Sequence, residues 1–194
     1  MRVLIQRVSK ASVEVDGEII SKINRGLLLF VGVTHEDDQG IADHLARKSA
    51  QLRIFEDDQQ RQHQCSALDL NLEALVVSQF TLYGNTSKGR RPGFDQSAPP
   101  EKAEAIYQAF IESLENTGLR CTFGKFRAEM KVNLINDGPV TPIFWRRRRK
   151  RIKPSIKLTH LGLNGFQHDE DLVFIDHQIG HHPNQVGFYH FDQD

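Results

Sequence analysis

Two short polar motifs, each following an apolar run, are where this chain could do chemistry. Ser78-Gln79-Phe80-Thr81-Leu82 comes directly after Ala74-Leu75-Val76-Val77. A buried strand therefore delivers a polar patch at its end, where sites on sheets are commonly built. Asn136-Asp137-Gly138-Pro139-Val140-Thr141 follows a second strand-like run. Glycine lets backbone approach another surface closely, and X-Pro is the one common place for a cis peptide bond. Such a pair suits a rigid probe that presents backbone carbonyls, although an isolated Gly-Pro reads more plainly as a tight turn. Taken alone, Ser78, Gln79 and Thr81 likewise read as strand-end hydrogen bonders before they read as catalysts. Between the motifs, residues 83–92 form a loop with three cations, Lys88, Arg90 and Arg91. They suit either phosphate contacts or a solvated basic surface.

The usual signatures of a hydrolase are missing. There is no G-x-S-x-G elbow, and residues 1–145 hold only His35, His44 and His63. His35 sits in an acidic turn, His44 on a predicted helix and His63 in a polar loop, so each reads as surface rather than as a base. No H-E-x-x-H or C-x-x-C spacing occurs there, which argues against a catalytic zinc and leaves no cofactor to expect.

The elements that must carry these motifs can be read from periodicity. Residues 2–8 and 11–15 predict strands, the second followed by an Asp16-Gly17 hairpin turn and a returning strand over 19–23. Residues 26–33 are a continuous apolar run suited to a central strand. A first helix is predicted from about Asp38 to Leu52, with Ile41, Leu45 and Leu52 on one face and acids in its first turn. A second starts after Pro99-Pro100, places Ala103, Ile106, Phe110 and Leu114 at helical spacing, and stops at Gly118. Strands are predicted over 119–123 and 130–135. About seven strands and two helices predict an α+β domain, with antiparallel or mixed sheets covered by two main helices.

At 194 residues the chain can hold one domain with a sizeable core. Lys+Arg and Asp+Glu are equal at 25 each, so net charge implies no general attraction to nucleic acid. Two cysteines, Cys65 and Cys121, make no disulfide framework. The apolar start is short and interrupted by Arg2 and Arg7, unlike a signal peptide, and no run is long enough to span a bilayer. These features predict a cytoplasmic protein with no membrane partner.

The order S-Q-F-T-L, then G-R-R-P, then N-D-G-P-V-T resembles the D-aminoacyl-tRNA deacylases. Met1-Arg2-Val3-Leu4-Ile5-Gln6-Arg7-Val8, Ala11-Ser12-Val13 and Arg53-Ile54-Phe55 extend the resemblance over residues 1–141. It implies a twofold homodimer that meets the aminoacyl-tRNA 3′ end and hydrolyses the ester of D-aminoacyl-tRNA, and of mischarged glycyl-tRNA. That ester is already activated, and the neighbouring ribose hydroxyl can help activate water, so positioning and backbone donors suffice. On the resemblance, Phe80 and Thr81 supply main-chain contacts near the ester, while Ser78 and Gln79 line the adenosine pocket. Thr81 as a nucleophile is the alternative, but nothing nearby in sequence would activate it. Gly138-Pro139, with Pro139 cis, implies a wall that rejects L-residues by clash in the partner's pocket. Arg7 would brace this corner through its carbonyls and Met130 would pack beside it, with Asn136, Val140 and Thr141 in support. Lys88, Arg90 and Arg91 become candidates for phosphates of the tRNA acceptor end.

The chain departs from the family pattern twice. Residues 61–66 read Arg-Gln-His-Gln-Cys-Ser where relatives carry a Lys-Met-Asn-Leu-like stretch. After Thr141, Pro142 interrupts the expected last strand and predicts it shortened or pushed to an edge. Residues 1–145 are thus expected to form the deacylase domain and 146–194 a C-terminal extension, disordered or loosely packed. Residues 146–157 carry eight cations and no acid, whereas 160–194 carry six acids, six histidines and no Lys or Arg. The basic run suits a tRNA clamp, a localisation signal or a solvated tail. A non-catalytic nucleic-acid-binding dimer using it is the alternative to the enzyme. His177 and His181 stand four apart, but Gly180 and Pro183 make a helix holding a metal doubtful. Leu161, Leu163, Leu172, Val173, Phe174 and Ile175 could add a strand to the domain.

Overall fold

One strand organises the fold. β1 (Arg2–Val15) runs unbroken for 14 residues, where the sequence predicts two strands separated at Ser9-Lys10. The polar pair marks a bulge instead: the pairing of β1 with β6 (Lys131–Asn136) shifts register between Val8 and Lys10. An extra residue in a strand turns the side chains beyond it to the other face. Val3 and Ile5 thus enter one core, while Ala11, Val13 and Val15 join Val8 in a second.

The computed structural model describes residues 1–87, 89–146 and, as backbone, 171–174. Around β1 lie β2 (Glu18–Ile23), β3 (Gly26–Gly32), β4 (Glu73–Ser78), β5 (Arg120–Phe123), β7 (Pro142–Trp145) and β8 (Asp171–Phe174). The sheet order is β5-β4-β3-β1-β7-β8, with β2 and β6 also paired to β1. β3, β4 and β5 are mutually parallel, and every other pairing is antiparallel.

Parallel neighbours need crossover connections, and the two helices supply them. α1 (Gln39–Gln51) links β3 to β4, and α2 (Pro100–Glu115) links β4 to β5. Both crossovers step the same way across the sheet, so both helices cover the same face. Asp38 caps α1 by accepting from Ile41 N at 3.0 Å, so the predicted acid in the first turn is the cap itself. α2 begins at Pro100, where the missing N–H costs nothing. Ile41, Leu45, Phe110, Ile111 and Leu114 pack on Val3, Ile5, Leu27, Leu29, Ala74 and Val76. Each large side chain so buried stabilises the fold by about 1.5–3 kcal/mol. Leu28, Leu75 and Val77 face the other way, into the second core with β1's far half.

Pro142 opens β7 instead of breaking it. A proline is tolerated at the first position of a strand, and the β1 partners begin one residue later, at Ile143. The strand is short, but it is not at an edge: β8 pairs along its outer side, with Pro142 opposite Phe174 and Trp145 opposite Asp171. Leu172, Val173 and Phe174 thus do add a strand. The basic run at 147–151, Leu161, Leu163, Ile175, His177 and His181 lie outside the described residues.

Candidate active site

The S-Q-F-T-L motif sits at the carboxyl ends of two parallel strands. Ser78 closes β4 opposite Val31 of β3, and Gln79 N extends that ladder by donating to Val31 O at 2.8 Å. The chain then leaves the sheet as a 3-10 turn, Phe80–Tyr83. Gly32 makes the sharp exit possible: a Cβ there would lie 3.0 Å from Gln79 O and 3.2 Å from the Leu82 Cβ. Leu82 N donates to Gln79 O at 3.3 Å. The N–H groups of Phe80 and Thr81 head the turn and therefore have no carbonyl within it. Phe80 and Thr81 are exposed, and Ser78 and Gln79 half-buried. Gln79 Nε2 donates to Thr81 Oγ1, so the described partner of that hydroxyl is an amide, which cannot take its proton.

The Gly-Pro corner is held by Arg7. The Gly138–Pro139 peptide is cis, and Gly138 has φ +121°. Arg7 is buried; its Nε donates to Asp137 O at 3.0 Å and its Nη1 to Ile54 O. The Asp137 carboxylate stands 3.6 Å from Arg7 Nε. The backbone joins in, with Arg7 N donating to Val140 O at 3.1 Å and Asp137 N to Arg7 O at 2.8 Å. Asn136 Nδ2 donates to both Arg7 O and Val140 O, at 3.0 and 3.2 Å, and Thr141 Oγ1 donates to Asn136 Oδ1 at 3.3 Å. Arg7, Asn136, Val140 and Thr141 thus form one cradle around Gly138-Pro139. Residues 61–66 reach the same place: Gln62 Oε1 is 3.5 Å from Arg7 Nη1, so this atypical segment backs the corner.

The corner and the turn lie at opposite ends of the sheet. Arg7 pairs with Leu27, which pairs with Ala74, whereas Ser78 pairs with Val31. Four residues along β3 separate the two rows, about 13 Å, and two strand spacings add about 10 Å across. Met130 precedes β6, and the corner follows that strand's other end at Asn136. Six residues of strand amount to about 20 Å, so within one chain Met130 is remote from Gly138-Pro139. It packs instead on the second core, where its sulfur and Val77 lie beside Gly124, toward the carboxyl end of β4. Gly124 N donates to Val76 O at 2.9 Å.

The remaining candidates are placed as follows. Asn85 and Gly93 exchange backbone hydrogen bonds of 2.8 and 2.9 Å, closing the basic loop just beyond the turn. Arg90 and Arg91 are exposed on it, and Lys88 lies outside the described residues. His35 and His63 are exposed, but His44 is half-buried on α1, not a surface group, because its position faces inward between Ile41 and Leu45. Burial and the nearby Glu115 carboxylate push the Cys121 thiol up to about 12, the reverse of an activated nucleophile. Among the described residues no three His, Cys, Asp or Glu side chains cluster as metal ligands, and no helix is long and apolar enough to cross a membrane. Sequence reading misses Gly32, Phe94 and Ser97, which contact the turn from distant segments and carry no local motif.

Comparison with known proteins places this architecture. The family model described as D-Tyr-tRNA(Tyr) deacylase matches residues 4–145. The D-aminoacyl-tRNA deacylase of Halothermothrix orenii is 54% identical over 141 residues, 73% of this chain and 94% of the relative. That of Bacillus cereus is 52% identical over 143 residues, covering 74% and 97%. A solved structure of the c-Myc DNA Unwinding Element Binding Protein superposes with a TM-score of 0.70 at 43% identity, covering 74% of this chain and 97% of that one. With the match spanning both motifs and every element from β1 to β7, the chain belongs to the D-Tyr-tRNA(Tyr) deacylase family.

Proposed function

We propose that this chain hydrolyses the ester joining a D-amino acid, or glycine, to the 3′ end of tRNA, releasing free tRNA and the amino acid. Deacylation of D-aminoacyl-tRNA follows from the family. The division of labour within the site is our reading, and one observation carries it: the turn and the corner are too far apart in one chain to act on one substrate. A twofold dimer resolves this, because each copy's Gly138-Pro139 can enter the other's pocket beside Phe80, Thr81 and Met130.

In this mechanism Ser78 and Gln79 line the adenosine pocket, and the basic loop with Lys88, Arg90 and Arg91 meets acceptor phosphates. Water adds to the ester carbonyl carbon, and its proton passes through the neighbouring ribose hydroxyl to the departing ribose oxygen. The N–H groups of Phe80 and Thr81 hold the oxyanion that forms meanwhile. Donors fixed in advance cost no reorganisation at that moment. The corner's carbonyls, braced by Arg7, stand where an L side chain would point, so L-residues are refused by clash. A D-residue or glycine passes. A tRNA substrate accords with the expected cytoplasmic location.

The name of the 43%-identical structure favours a second reading, a dimer that binds nucleic acid without chemistry. Deacylation of D-Tyr-tRNA and L-Tyr-tRNA, measured side by side with the full chain and with a chain ending after Trp145, separates the two. Rapid release of only the D-residue by both supports the enzyme. Release by neither, with tRNA still bound, supports the binding module.

A further inference from the structure

A strap crosses the 3-10 turn. Residues 94–98 are fastened to the end of β3, where Thr34 and Ser97 form an antiparallel bridge. Ala98 N donates to Val33 O at 2.9 Å, and the Thr34 hydroxyl donates to Gln96 O at 2.5 Å. From this base two side chains reach the turn. Phe94 meets Phe80 edge to face, with ring centroids 5.0 Å apart at 69°. Ser97, half-buried, donates its hydroxyl to Phe80 O at 3.0 Å. From the start of β1, Arg2 Nη1 donates to Leu82 O while its guanidinium lies 4.5 Å above the Tyr83 ring.

The Ser97 bond constrains the far side of the peptide it touches. The Phe80 carbonyl and the Thr81 N–H belong to one planar trans unit and point in opposite directions. Holding the oxygen therefore holds the direction of the N–H. Rotation of this plane would withdraw the donor and present a carbonyl in its place. Donation into the carbonyl also polarises the unit and strengthens its N–H as a donor.

We infer that Ser97 is a positioning residue, which fixes the orientation of the Phe80–Thr81 peptide so that the Thr81 N–H meets the developing oxyanion. This rests on the reading above that the N–H faces the ester. Loss of an entire oxyanion donor lowers kcat by about 10²–10³, and loosening one costs less.

Ser97→Ala is therefore expected to lower kcat on D-Tyr-tRNA about tenfold, with KM changed less than about twofold and thermal midpoint by less than about 2 °C. Ser97→Thr, which restores the hydroxyl, should recover kcat to within about threefold. A kcat within twofold of the unaltered chain, a rise in KM alone, or a Thr variant as slow as the Ala variant would each overturn the inference. An unaltered chain that releases no D-tyrosine defeats the wider reading instead. The peptide can then still be judged: the ¹⁵N amide resonance of Thr81 should be single in the unaltered chain and broadened or split in Ser97→Ala, and an unchanged resonance refutes the inference.

Discussion

Gly138→Ala tests the corner most directly. A Cβ at Gly138 would stand 2.5 Å from Arg7 Nη2, 3.0 Å from Val140 Cγ2 and 3.3 Å from Val140 N. The backbone adds strain, because φ is +121° and L side chains resist that region at about 1–2 kcal/mol. The guanidinium has little room to retreat, being buried and tied to Asp137 O and Ile54 O. Weakening one such charge-assisted bond costs about 1.5–3 kcal/mol. Together these destabilise by about 3–5 kcal/mol, a fall of about 10 °C in thermal midpoint. Thermal unfolding measures the stability part. For the cross-subunit part, Gly138→Ala would be paired in mixed dimers with Thr81→Pro, which deletes the N–H from the turn. Each homodimer should be at least about tenfold slower on D-Tyr-tRNA. The mixed dimer should regain activity at one of its two sites, the one with an intact turn and the partner's intact corner. A mixed dimer as slow as its parents would refute corner exchange, and a midpoint within 2 °C would refute the steric argument.

Three further outcomes are expected. Thr81→Ala should keep kcat within about tenfold, because the hydroxyl's described partner is Gln79 Nε2 and not a base; complete loss in single-turnover deacylation would restore Thr81 as nucleophile. Asp37→Ala should destabilise by about 3–5 kcal/mol in urea titration, because Asp37 is buried, pairs with the buried Met1 ammonium and accepts from Thr34 N at 2.7 Å; a loss under 1 kcal/mol would contradict this. With its pKa pushed up to about 12 by burial and the Glu115 carboxylate, the Cys121 thiol is almost wholly protonated at pH 8, so at that pH it should alkylate at least about 100-fold more slowly in folded than in urea-denatured protein. Comparable rates by mass spectrometry would count against its burial.

Much of the architecture was legible because local rules and long-range packing agree. Alternating Ala11, Val13 and Val15, the continuous apolar run of β3 and the helical spacing of Ile106, Phe110 and Leu114 each dictate one geometry. Both motifs were legible for the same reason, as polar residues closing apolar strands. Ser9-Lys10 was misread as a break because a bulge and a turn present the same polar pair, and only the partner strand β6 decides between them. Pro142 was half legible: β7 is short, as expected, but β8 keeps it from being an edge, because the effect of a proline depends on whether a ladder needs its N–H. The sequence alone thus determined most of the elements, the family and where both motifs sit on their strands, since these depend on neighbours in the chain. Tertiary structure decided through which atoms Arg7 holds the Gly-Pro corner, that Ser97 and Arg2 grip the turn from 17 and 80 residues away, and that corner and turn stand at opposite ends of one sheet. Those facts follow from strand register and crossover topology, which no local pattern encodes.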